Sequence, residues 1–116
     1  MKILFWGDKD NFEFLAGVLN EKNPQARAIF VSDFSDFEKY LAECERVVLD
    51  LTNVPGKNRE QKIKAVGEKN WEKIMQQLTI WEKKKENRVF FCLSNCVMSR
   101  FQFFEVEKSN GNIILY

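Results

Sequence analysis

Apolar and polar positions alternate in long blocks along the chain, and the blocks change period. "KILFW" (Lys2 to Trp6) is a continuous apolar run closed by Gly7, Asp8 and Asp10, the pattern of a short buried strand ending in an acidic loop. Phe12, Leu15, Ala16 and Leu19 then recur at helical spacing, with Asp10 or Asn11 suited to the N-cap and Asn23-Pro24 to the stop. "ARAIFVS" (Ala26 to Ser32) predicts a second strand. "DFSDFEKYLAEC" follows with capping residues at Asp33 and Ser35 and with Phe37, Tyr40, Leu41 and Cys44 on one helical face. In "ERVVLDLTNVPG" (Glu45 to Gly56), Val47, Val48, Leu49 and Leu51 surround one carboxylate, Asp50, which predicts a third strand with an acid at its C-terminal end.

After Pro55-Gly56 the period is 3.6 from about Asn58 to Glu86, with Ile63, Val66, Gly67, Asn70, Trp71, Ile74, Leu78 and Trp81 in one stripe. An unbroken helix of that length spans roughly 40 Å, more than a crossover between neighbouring strands needs, so it either breaks near Gly67 or overhangs the domain. "RVFFCLS" (Arg88 to Ser94) is a fourth apolar strand. In the tail, Val97, Phe101 and Phe104 predict a short helix before a final strand "NIILY", while Asn110-Gly111 is a hairpin signal. The rhythm of the preceding chain favours the helix over residues 97–108. Strands apolar on both faces and alternating with helices predict a single α/β domain, a three-layer doubly wound fold on a mostly parallel five-stranded sheet. In such sheets the working edge is the C-terminal one, which gathers Asp8, Asp10, Asp50 and Ser94.

Composition narrows the chemistry. The 116 residues are 45% hydrophobic and 30% charged, ordinary for one globular domain, and no run approaches a transmembrane span, so a cytoplasmic location and no membrane partner are expected. Histidine is absent, which removes the commonest general base, the Ser-His and Cys-His nucleophile pairs and most zinc sites. Cys92 and Cys96 cannot by themselves complete a four-ligand zinc site, and with Cys44 they make an odd set better read as buried free thiols. A Gly-rich phosphate loop is also missing. Enzymatic activity and an obligatory cofactor are therefore not expected, and Mg²⁺ at Asp8, Asp10 and Asp50 is the one cofactor the residue types suit.

Asp50 has three readings: a structural carboxylate that caps a loop, a ligand for a metal, or a phosphoryl acceptor. The motifs "WGDKD", "VVLDLTNVPG" and "FFCLSN" resemble those of response-regulator receiver domains of two-component systems. The resemblance runs over nearly the whole chain as topology, and implies a flavodoxin-like fold with Asp8 as a metal-binding acid, Asp50 as phosphoacceptor and Ser94 as switch hydroxyl. Three features depart from the family pattern. Gly7 stands where the first paired acid is expected, one extra residue separates Asp50 from Pro55-Gly56, and the fifth strand ends at Tyr116 without a lysine. Such departures resemble a pseudo-receiver, a non-enzymatic signalling or scaffold module for protein–protein interaction; the alternative is an active Mg²⁺-dependent receiver. A weaker similarity links "RVVLDLTNV" and the segment from Arg88 onward to the second half of STAS domains, without their phosphorylatable serine motif. "GDKD…FLAGV" is similar to the opening of one of the small α/β components of rotary ATPases.

Charge separates along the chain. Lys57 to Arg88 carries ten Lys/Arg against five Glu, net +5, and the remainder eight against twelve, net −4. Lys83, Lys84 and Lys85 sit at a helix end, where the macrodipole favours cations, so nucleic acid is not the expected partner. Ile80 falls outside the apolar stripe. With Trp71 and Trp81 it forms the candidate interface, for a protein partner, for self-association or for docking into a larger assembly through the 58–86 helix.

Overall fold

A computed structural model describes residues 1–22, 24–85, 88–93 and 114–115. Four five-residue strands run parallel: β1 (Lys2–Trp6), β2 (Arg27–Val31), β3 (Arg46–Asp50) and β4 (Val89–Leu93), in the spatial order β2-β1-β3-β4. Beyond β4, the two-residue β5 (Ile114–Leu115) pairs parallel with Phe91 and Cys92. The parallel α/β architecture is the expected one, but it rests on four full strands, with only two described residues in the fifth place. Ser94, Cys96, the 97–108 segment and Tyr116 lie outside the described residues.

Four helices connect the strands: α1 (Lys9–Lys22), α2 (Phe34–Leu41), α3 (Arg59–Val66) and α4 (Glu68–Lys84). Alternate strand residues point to opposite faces, so each face carries its own core. Ile3, Phe5, Val48 and Phe91 meet Leu15 and Leu19 of α1 on one side. On the other, Leu4, Val47, Leu49 and Phe90 meet Phe37 and Leu41 of α2 and Ile74, Leu78 and Trp81 of α4. Burial of each such side chain contributes about 1.5–3 kcal/mol. β3 and β4 are buried throughout, whereas β2, at the sheet edge, is largely half-buried.

Two local expectations change. The cap of α1 is Asp8 rather than Asp10 or Asn11. The Asp8 carboxylate accepts the backbone N–H of Asn11 at 3.0 Å, and its carbonyl accepts that of Phe12, so the helix starts directly after Asp8. The 58–86 helix is not continuous. Gly67 breaks it with φ +108° and ψ 122°, while its N–H still bonds the carbonyls of Ile63 and Lys64 and its own carbonyl accepts from Trp71. The break lets α3 cover the loop after β3 while α4 lies along the sheet. Asn58 starts α3 by accepting the N–H of Gln61 at 2.9 Å.

Trp81 also differs from its expected place at a surface. It is only 3% exposed, sits one helical turn from Leu78 on the inward face of α4, and donates its indole N–H to the Cys44 carbonyl at 3.0 Å. Trp71 is half-buried against the same core. Of the three candidate interface residues, Ile80 alone is largely open, at 59% exposure.

A side chain at Gly67 meets a backbone conformation that L-residues rarely adopt. Gly67→Ala is expected to lower unfolding stability by about 1–3 kcal/mol in urea titration, whereas Gly17→Ala in α1, where nothing lies within 4 Å of an added Cβ, is expected to be neutral or stabilising.

Candidate functional site

The order β2-β1-β3 reverses chain direction across the sheet between β1 and β3, the place where open parallel sheets form a crevice at their C-terminal edge. A pocket of about 260 Å³ lies there, lined by Trp6, Gly7, Asp8, Ser32, Asp50, Asn53 and Val54. Its floor is set by Asp50, the last residue of β3, which is only 2% exposed. An ionised group so deep needs donors, and the two adjacent loops provide them. Thr52 gives its backbone N–H (3.0 Å) and its hydroxyl (2.6 Å) to Asp50 Oδ1. Asn11 Nδ2 donates to Asp50 Oδ2 at 2.9 Å and lies 3.0 Å from the Thr52 hydroxyl oxygen.

Gly7 completes this packing by having no side chain. A Cβ there would come 2.6 Å from both the Cβ and the carbonyl oxygen of Asp50, and φ is +144°. An acid at position 7, as the receiver pattern has it, would collide with the β3 end. Close approach of the β1–α1 turn to Asp50 and an acidic pair at this turn are thus mutually exclusive.

Asp8 occupies the rim. Its carboxyl is held below the usual carboxylate range, chiefly by the Asn11 backbone N–H it caps and next by the Asn53 side chain. Asp10 is exposed in the first turn of α1 and does not line the pocket. Asp8, Asp10 and Asp50 do not converge, and among the described residues no group of three His, Cys, Asp or Glu is placed to hold a metal ion. The expected Mg²⁺ site is therefore not assembled by these three acids, because one caps a helix, one faces solvent and one is enclosed by amides and a hydroxyl.

Cations approach from α3, a contribution that pattern reading passed over. Lys62, 5% exposed, spends all three ammonium donors on main-chain carbonyls, those of Leu51 (3.0 Å), Thr52 (2.9 Å) and Val54 (3.1 Å). It acts as an internal cation that gathers the β3–α3 loop and so fixes Thr52 against Asp50. Arg59, in the first turn of α3, lies beside Cys92 near the end of β4. Burial still dominates there, pushing the Cys92 thiol up to about 11, with Arg59 pulling it down by less and Asp50 adding to the rise. Such a thiol is a poor nucleophile near neutrality. Trp6, stacked on Phe34 at 5.5 Å, closes the apolar wall.

The sequence carried traces of these partners. Asp50-x-Thr52 is the spacing of an Asx turn, and Asn11 stands three residues after a capping acid, a position whose side chain returns toward the preceding loop. Neither signal identifies Asp50 as the common acceptor, since that depends on β1 and β3 being neighbours.

Lys62→Met removes three donors, and of the three carbonyls it served, Leu51's keeps the Val54 N–H while those of Thr52 and Val54 lose the ammonium. A loss of about 2–3 kcal/mol is expected in chemical denaturation, with weaker hydrogen-exchange protection at Thr52. Asp8 gives a pH effect of definite sign. A folded pKa below the ordinary 3.8 contributes stability that is present above that value and is lost as pH falls through the folded pKa. Thermal melts are expected to place Asp8→Asn, which keeps a capping oxygen but not the charge, below wild type near neutrality, with the gap closing in acid as the wild type falls more steeply.

Compared with protein-family models, curated proteins and solved structures, the chain matches none.

Proposed function

We propose that this chain is a receiver-like signalling or scaffold module that acts by binding a protein partner and not by phosphotransfer. The strand order and the helices on both faces support a flavodoxin-like, doubly wound reading, with Ile114–Leu115 as the fifth strand. Asp50 stands where the receiver resemblance puts the phosphoacceptor. The observation that carries the proposal is the enclosure of its carboxylate. A phosphoacceptor must present an oxygen lone pair to an incoming phosphoryl group. Here both oxygens accept donors from Asn11 and Thr52, and the group is almost closed to solvent. Gly7 and the separate positions of Asp8 and Asp10 support the same reading, since a cation neutralising charge beside the acceptor would need acids gathered there to hold it, and among the described residues none are so grouped.

In this reading Asp50 is a structural anchor, and the geometry of the crevice serves to hold two loops together. The test is a thermal melt with Mg²⁺ and beryllofluoride, a phosphoryl mimic, on wild type and Asp50→Asn. A ligand bound by the folded state alone at a hundredfold excess over its Kd adds about 2.7 kcal/mol. No change in Tm on adding the mimic is expected for either protein. A rise of several degrees in wild type that disappears in Asp50→Asn would establish an active phosphoacceptor and overturn the proposal.

A further inference from the structure

At the opposite edge of the sheet, roughly 15 Å from Asp50 across five-residue strands, a second and larger concavity of about 350 Å³ opens between the C-terminal halves of α2 and α4. Its floor is apolar, formed by Leu41 and by Trp81, and Ile80 stands at its lip with 59% of its surface open. Ile80 is one of two large hydrophobic side chains exposed among the described residues, and it is the one that borders this concavity.

Charge around the groove is uneven. Glu38, at one end, is already engaged by Lys73 at 3.8 Å and by the Gln77 amide. At the other end stand Lys84 and Lys85, both exposed and both without an ion-pair partner among the described residues. Two helices terminate here, and their C-terminal carbonyls would ordinarily repel an anion. Arg88 offsets part of that effect by meeting one carbonyl near each helix end. It is 4% exposed, donates to the carbonyls of Ala42 (2.9 Å) and Trp81 (2.8 Å), and lies 5.2 Å from the Trp81 ring centroid. The exposed lysines at the rim thus stand next to an apolar floor, with no ion pair to either of them among the described residues.

We infer that this groove docks an acidic, amphipathic peptide segment of a protein partner, with one apolar side chain against Leu41, Ile80 and Trp81 and carboxylates facing Lys84 and Lys85. A membrane surface fits less well because the apolar element is concave with a single residue at its lip. Nucleic acid fits less well because the basic cluster is short and flanks a floor that offers no phosphate track. The inference rests on the interaction-module reading and names its surface, yet the two fail separately: beryllofluoride binding at Asp50 bears on that reading alone.

The test is selection from a phage-displayed library of random short peptides on the whole protein, counter-selected on Ile80→Glu. Recovered peptides are then measured by fluorescence anisotropy. Ile80 is exposed, so Ile80→Glu is expected to melt within a few degrees of wild type. Recovery of peptides that pair an apolar residue with Asp or Glu is expected, with affinity reduced about tenfold or more by Ile80→Glu and by the double change Lys84→Glu, Lys85→Glu, and weakened by added salt. Recovery of no Ile80-dependent peptide, or of neutral or basic ones, overturns the proposal. So does sedimentation showing a dimer that Ile80→Glu dissolves, which would assign the face to a second copy, or Ile80-dependent binding confined to anionic vesicles or to oligonucleotides.

Discussion

A carboxylate at the end of a fully buried strand is tolerated only when donors reach both of its oxygens, and in this protein that requirement ties the C-terminal edge of the sheet together. Asp50 belongs to β3, Asn11 to α1 and Thr52 to the loop after β3, so one acceptor fixes the two loops that flank the central strand pair. Gly7 permits the approach, and Lys62 holds the second loop from behind through three carbonyls. An ammonium bonded to main-chain oxygens in this way has the role that a bound cation plays in other loops, with the difference that it is covalently part of the next helix. The loop and α3 are therefore positioned by one interaction.

The two edges of the sheet solve the same electrostatic problem differently. At the C-terminal edge a buried anion is neutralised by dipoles, namely amide and hydroxyl groups. At the N-terminal edge a buried cation, Arg88, is met by two carbonyls and an indole face. These contacts avoid the direct ion pair, whose desolvation often exceeds its attraction. This leaves the exposed charges free to differ between regions, acidic around α1 and α2 and basic along α3 and α4, and that asymmetry gives the groove between α2 and α4 its chemical character.

Strand positions were readable because parallel strands covered on both faces are uninterrupted apolar runs. "KILFW" and "RVVLD" could hardly be anything else, and Asp33 capped the second helix as its spacing foretold. The break at Gly67 was legible as one of two alternatives, decided by the need to bring α3 back over the β3 loop. What the chain order hides is adjacency. Asp8 and Asp10 look equivalent in "GDKD", yet the first caps a helix and the second faces solvent, because the helix begins two residues earlier than the capping signals suggest. The apolar stripe already set Trp71 and Trp81 apart from Ile80, and laying α4 on the sheet turns Trp81 inward and leaves Ile80 out. Lys62 and Arg59 read as ordinary basic residues of a solvated helix; only the fold places them against carbonyls and a thiol.

The position of β1 has a consequence for how the chain assembles. It lies in the interior of the sheet, with Lys2 opposite Arg27 and Ile3 opposite Arg46, so both of its neighbours arrive from far along the sequence. Pairings at such separations require loop closure before any contact rewards it, which slows folding. Once β2 has docked, the other side of "ILF" still offers unpaired backbone flanked by apolar side chains, an adhesive edge of the kind that recruits foreign strands. Pairing of β3 along that side, next to the Asn11–Asp50 contact, covers this backbone and leaves β1 with neighbours on both sides.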